Sequence, residues 1–301
     1  MADTLKVIFD GIAAADTKKV AKGYEDTAII LTNGQSKIVR DEMDAEQTMF
    51  SALSDIKATV LRTWTKNDIE VVEWELSGKN TGDMGDTKAT GRPVALRVLD
   101  YFDVSDGNLV QEQHRYVDRT TLAKQLDSSA APGSFPSASF TPPGSVGAHV
   151  AKGSPDEDKN AVAMKSWYTL MNAHKTGIYD LIGDDMVLDE VGSPQQIKGL
   201  SDVRNRFWYL LKVIPDLVED FSPPLAFEDF TFSEVVIRGT QKGTLGGIPP
   251  TGNPIKLHQA DLMQWKGGKM VAAWTYSDFT EVRDELLPKK KPDAGGAAPS
   301  R

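Results

Sequence analysis

At 301 residues, with 40% apolar and 26% charged side chains, the chain has material for roughly two globular cores and is too apolar for a disordered protein. A formal net charge of −9 opposes a phosphate backbone, and no basic stripe with interleaved aromatics offsets that field. No apolar run approaches the ~20 residues that cross a membrane, no cysteine offers a disulfide, thiolate ligand or nucleophile, and four scattered histidines lack metal-ligand spacing, so the expectation is a cytoplasmic protein with no nucleic acid, membrane, metal or cofactor as partner.

Leu5, Ile8, Phe9 and Ile12 recur at helical spacing and predict an amphipathic opening helix, and Met49, Phe50 and Leu53 predict a second. Alternating, β-branched and aromatic stretches at 69–77, 93–104 and 109–117 follow and predict strands. Ser105-Asp106-Gly107-Asn108 suits the positive φ angles of a tight hairpin. A two-residue Asp106-Gly107 loop sets Asp100 opposite Gln113, and a three-residue loop sets it opposite His114. Residues 128–157 carry five prolines and almost no apolar periodicity, the composition of an extended, semi-rigid spacer, inside which His149 is expected to be solvated.

The pattern then repeats. Met164, Trp167, Tyr168 and Met171 predict a helix, Val203, Phe207, Leu210 and Leu211 another, and 231–239, 254–265 and 270–278 three strands. Residues 78–110 realign with 239–271 at a constant offset of 161, with ten identities that include Gly78/Gly239, Thr90/Thr251, Gly91/Gly252, Pro93/Pro254, Asp100/Asp261 and Val110/Val271. The N-terminal parts match more weakly at offset 159, pairing Ile29 with Leu188 and Ile38 with Ile197. Helices followed by an antiparallel meander make an α+β fold, so the chain divides into a domain at 1–127, a linker at 128–157, a second domain at 158–287 and a disordered tail at 288–301 that contains Lys289-Lys290-Lys291.

The stretch from Gly243 to Ile255, the strand with Asp261, the Gly267-Gly268 turn and Val271-Ala272-Ala273-Trp274-Thr275-Tyr276-Ser277-Asp278 resemble the SnoaL-like polyketide cyclases (ester cyclases) of the nuclear transport factor 2-like superfamily. Asn172-Ala173-His174 resembles that family's usual helix ending, and Thr90-Gly91-Arg92-Pro93, Asp100, Asp106-Gly107 and Asp118 give a weaker version in the first copy. The resemblance implies two tandem cone-shaped domains, each with N-terminal helices packed on a curved, mostly antiparallel sheet that encloses a hydrophobic pocket. It further implies an acid/base aspartate in the last strand, whose position falls at Thr275 in the second copy and near His114 in the first.

Strand alternation places Asp100 with Leu96, Val98 and Phe102, and Asp261 with Leu257, Met263 and Trp265. A carboxylate on an apolar face has a raised pKa unless it is paired, which fits it for proton transfer near neutrality; the competing reading is a hydrogen-bonded structural aspartate. Glu112, His114 and Tyr116 share one face, and His114 is a candidate base if that face lines a pocket. Trp74, Tyr116, His258, Trp274 and Tyr276 are the candidate ligand-binding residues, His258 lying on the face opposite Asp261. Two functions are expected to compete: a cofactor-independent cyclase or isomerase acting on a small apolar carbonyl compound, and a non-catalytic binding module paired as an intrachain pseudo-dimer or a homo-oligomer.

Overall fold

The computed structural model describes residues 1–104, 109–129 and 147–287; residues 105–108, where a tight hairpin is expected, most of the expected linker and the tail with its lysines lie outside the described residues. The first half runs α1 (Asp3–Ala13), α2 (Thr17–Ala21), β1 (Tyr24–Thr32), β2 (Gln35–Ile38), α3 (Val39–Ser51), β3 (Leu53–Lys66), β4 (Ile69–Asn80), β5 (Pro93–Val104), β6 (Val110–Val117) and α4 (Arg119–Leu126). The second runs β7 (Gly147–Val150), α5 (Pro155–Asn172), a 3-10 helix (Thr176–Leu181), β8 (Ile182–Glu190), β9 (Ile197–Lys198), α6 (Leu200–Val213), β10 (Val218–Phe221), β11 (Leu225–Phe227), β12 (Phe230–Thr240), β13 (Pro254–Lys266), β14 (Lys269–Ser277) and α7 (Phe279–Leu286). Among the described residues no helix is long and apolar enough to cross a membrane.

Each half is a mixed sheet. β3-β4-β5-β6 form an antiparallel meander to whose end β1 adds in parallel, and the second half repeats this with β12-β13-β14 and a parallel β8. Helices cover one face of each sheet, with Leu5, Ile8, Ile12, Phe50, Trp74 and Phe102 buried beneath them in the first domain and Met164, Trp167, Tyr168, Met171 and Trp265 in the second. Sequence signals match the helix starts: Ser154 and Glu157 form a reciprocal capping box ahead of Pro155, and Asp118 and Asp278 cap α4 and α7. The register corrects the weaker alignment at one point, because β1 and β8 pair with equivalent residues of β6 and β14 in a way that matches Ile30, not Ile29, to Leu188.

The other faces of the two sheets pack on each other. Trp64, Val71, Leu99 and Tyr116 of the first domain and Phe227, Phe230, Phe232, Leu262, Trp274 and Tyr276 of the second form one buried cluster. The contact is reciprocal: the Tyr276 hydroxyl donates to Glu73, and the Tyr116 hydroxyl donates to Glu234 at 2.7 Å, the two pairs occupying equivalent places in the repeat. The chain therefore carries its own pseudo-two-fold partner. β7 belongs to this interface rather than to a free spacer: it pairs in parallel with β3. His149, expected in solvent, stacks on Trp64 with centroids 5.8 Å apart and bonds Glu228 at 3.1 Å. Its β-branched and aromatic neighbours are too few to show periodicity, which is why composition reads it as linker.

Candidate functional site

In the first domain Asp100 faces the covered side of the sheet, as alternation requires, but its ladder partner is Arg115 rather than Gln113 or His114. Val104 pairs with Val110 and Asp103 with Glu112, so Gln111 is an extra residue that advances the register by one. Arg115 Nε and Nη2 lie 3.0 and 3.3 Å from the Asp100 carboxylate, Trp74 Nε1 donates to it at 2.8 Å, and Arg115 Nη1 turns to Glu46 on α3. Burial disfavours the Arg115 charge, yet Asp100 and Glu46 outweigh it and raise its pKa. Phe9 packs edge-on against Trp74 at 5.3 Å, and Tyr24 donates to Gln113 at 2.5 Å. Trp74 and Asp100 are thus brought together, in a buried ion-pair network of Asp100, Arg115 and Glu46.

The second cone is open. A cavity of about 790 Å3 is lined by Leu188, Phe207, Leu210, Ile237, Leu257 and Thr275 together with Glu219 and Gln259. Asp261 lies behind Gln259, fully enclosed, accepting from Gln259 Nε2 at 2.7 Å and from the Tyr168 hydroxyl at 2.9 Å. No cation compensates for its burial, which pushes its pKa up to about 7. Glu219, on β10, is buried, and one of its carboxyl oxygens has no hydrogen-bond partner. Burial first and the nearby Asp261 second raise its pKa to about 8. Asn172 at the end of α5 fixes this strand from both sides, accepting from Glu219 N at 2.7 Å and donating to Glu219 O at 3.0 Å, while His174 bonds Leu217 O at 3.1 Å. Two buried carboxyls with raised pKa values thus lie near one another, Glu219 lining a largely apolar cavity.

The remaining candidates do not reach this cavity. Thr275 pairs with Asp261 and faces inward, so the neighbouring Trp274 and Tyr276 face the other domain: the Arg62 guanidinium sits 3.9 Å from the Trp274 ring centroid, and the Tyr276 hydroxyl meets Glu73 and Arg97. Val271 is bulged in β14 as Gln111 is in β6, and the connection from Val104 to Val110 is one residue longer than that from Trp265 to Met270; this aligns Arg115, not His114, with Thr275, and His114 and Tyr116 face outward to Glu234. The Val110/Val271 match of the gapless alignment is therefore not a structural equivalence; Val110 corresponds to Met270. His114 stands between Glu234 at 2.5 Å and Glu112 at 2.8 Å; burial opposes its charge, but these partners win and raise its pKa to about 9. That makes it an imidazolium near neutrality and unsuited to base work. His258 bonds Glu281 at 2.9 Å on the face opposite Asp261, and with His114 and Tyr116 lines a separate inter-domain crevice of about 350 Å3.

His149, Glu228 and Asp229 bring potential ligand atoms within 4.8 Å of one another, but Lys152 Nζ already lies 2.6 Å from Glu228 and Gln264 bonds Asp229 at 2.8 Å. Glu228 and Asp229 thus already have partners of their own in Lys152 and Gln264.

Glu219 is the residue that the sequence pattern hides. It lies in Leu217-Val218-Glu219-Asp220-Phe221, a short stretch between prolines whose two acids read as loop. The signal is the alternation of Leu217, Glu219 and Phe221 on one face, with Phe221 stacking on Tyr168 at 4.6 Å.

The model of the family described as SnoaL-like polyketide cyclase matches residues 22–126 and again 161–286. No curated protein matches the chain. Similar solved structures include a protein assigned as a SnoaL-like polyketide cyclase from Jannaschia sp. CCS1, at 17% identity over 44% of this chain and 94% of that one with a TM-score of 0.41. AclR from Streptomyces galilaeus, assigned as a hydroxylase, gives 21% identity over 44% and 99% with a TM-score of 0.40. IdmH from Streptomyces antibioticus, assigned as a polyketide cyclase, gives 20% over 42% and 97% with a TM-score of 0.37. Two matched segments on two repeated α+β cones identify the chain as a member of the SnoaL-like polyketide cyclase family that carries the family domain twice.

Proposed function

We propose that the second domain binds a small, largely apolar carbonyl compound and exchanges protons with it through Glu219, without a cofactor, while the first domain is a non-catalytic partner. The observation that carries this reading is the cavity of about 790 Å3 lined by a buried glutamate whose pKa is raised to about 8. A protonated Glu219 donates to a carbonyl oxygen and, once ionised, accepts a proton from the adjacent carbon, the two halves of an enolisation. Asp261 acts as a positioning residue: its charge helps to hold the Glu219 proton, and Gln259 and Tyr168 fix its orientation.

The second reading, a binding module that has lost its reaction, is favoured by Thr275 at the position where the family resemblance expects an aspartate, because a hydroxyl is no base near pH 7. One experiment separates the two. The protein is incubated in deuterium oxide with α-tetralone, and thermal shift and deuterium uptake at the carbon next to the carbonyl are followed together. Stabilisation with uptake that disappears in Glu219→Gln supports the enzyme; stabilisation without uptake supports the binder; neither effect refutes both.

A further inference from the structure

The cavity of the second domain is not built by that domain alone. Helix α4 of the first domain contributes Ala123 and Lys124 to its lining, with Asp127 just beyond its end, and the turn 192–194 closes against the same helix, Gly192 O lying 3.4 Å from Thr121 Oγ1. Charges along this wall are unequal in their commitments. Asp118 accepts from Thr120 N at 3.0 Å and from the Thr121 hydroxyl at 2.6 Å, Asp127 accepts from Ser129 N at 2.8 Å, and Glu190 takes Arg206 Nη2 at 2.7 Å. Arg206 Nη1, by contrast, is buried without an acceptor, and exposed Lys124 makes no ion pair among the described residues. A buried guanidinium N–H without a partner is costly, and its ordinary remedy is an oxyanion.

We propose that the occupant of this cavity is an amphiphile with an anionic group, its apolar body against Phe207, Leu210 and Leu257 and its anion held between Arg206 and Lys124, so that the first domain supplies a specificity residue to the second. Asp118, Asp127 and Glu190 have donors of their own, and Arg283 pairs with Asp284, which leaves Arg206 Nη1 and Lys124 open to a ligand. Glu219 lies in the same cavity and, with its proton on, does not repel an anion. On this arrangement α4 of the first domain completes the neighbouring site. This inference rests on the cavity of the second domain being a ligand site.

The test uses two fluorescent probes with similar aromatic bodies, the sulfonate 1-anilinonaphthalene-8-sulfonate and the neutral N-phenyl-1-naphthylamine, titrated into the full chain. Lys124→Glu is expected to weaken the sulfonate about tenfold, because reversing one charge near the mouth doubles its Coulomb effect, and added salt narrows the difference. Arg206→Gln is expected to weaken the sulfonate as well, and neither variant alters the neutral probe more than twofold. Equal weakening of both probes, or an unchanged sulfonate in Lys124→Glu, overturns the inference. Leu210→Trp, which fills the cavity, separates this outcome from failure of the underlying reading: if both probes still bind to Leu210→Trp, the cavity is not their site and the reading itself falls with the inference.

Discussion

Replacing Glu219 by Gln should make the protein more stable at pH 8 than the wild type and remove a pH dependence from it. In the folded chain the Glu219 pKa stands near 8 against an ordinary 4.5, so the native state holds a proton that the unfolded chain releases. The sign follows: the native state binds more protons than the unfolded state between these limits, so stability is greatest below about pH 4.5 and falls as pH rises toward 8. A rise from 4.5 to about 8 at 1.36 kcal/mol per unit corresponds to at most about 5 kcal/mol. A glutamine keeps the shape and the buried amide without any charge to ionise, so most of that loss should vanish. Urea unfolding at pH 5, 6, 7 and 8 measures it. A wild-type midpoint that drops across this range, with a flatter profile in Glu219→Gln, is the expected result. An unchanged slope in the variant would refute the assignment of Glu219 as a buried, protonated acid.

Other expectations follow from the same groups. Asp261→Asn removes a charge that raises the Glu219 pKa, so any pH profile of proton exchange should move to lower pH while Gln259 and Tyr168 keep a hydrogen-bonding partner; an unmoved profile would assign Asp261 a purely structural role. Asp100→Ala leaves the buried Arg115 with Glu46 as its remaining carboxylate, which should cost about 3–5 kcal/mol in denaturant unfolding, with probe binding to the second domain unaffected by the variant at temperatures where it is folded. His114 has a folded pKa of about 9 against 6.5, so its contact with Glu234 contributes fully below pH 6.5 and is lost as pH rises through 9; His114→Asn should reduce the loss of stability between pH 6.5 and 9 relative to the wild type, and an identical profile would contradict the pairing.

The scaffold was largely legible from sequence because its determinants are local. Helical spacing in Leu5 to Ile12 and Met164 to Met171, the turn residues around Gly91 and Gly252, and the repeat itself mark the two cones. The parallel β1, β8 and β7 are not legible because their partners lie far away in sequence, and β3 is not because its outer face carries polar residues that the second domain helps to bury, such as Arg62 against Glu73 and Trp274. Inward placement of Asp100 and Asp261 followed from alternation, but their different states did not. That difference depends on the residue opposite each aspartate, Arg115 in the first domain and Thr275 in the second, which leaves Asp261 without a cation. The bulge at Gln111 also turns His114 to the interface with Glu234, away from the covered face on which a three-residue hairpin loop would set it opposite Asp100. Glu219 escaped notice because four residues of strand between prolines carry too little periodicity to be recognised.

The most direct test of the central claim is a crystal structure of the full chain soaked with α-tetralone. The account predicts the ligand in the second cone, its carbonyl oxygen within hydrogen-bonding distance of Glu219, and no ligand in the first cone, where Arg115, Asp100 and Trp74 occupy the interior. Ligand in the first cone or in the crevice between the domains, with the second cone empty, would contradict it.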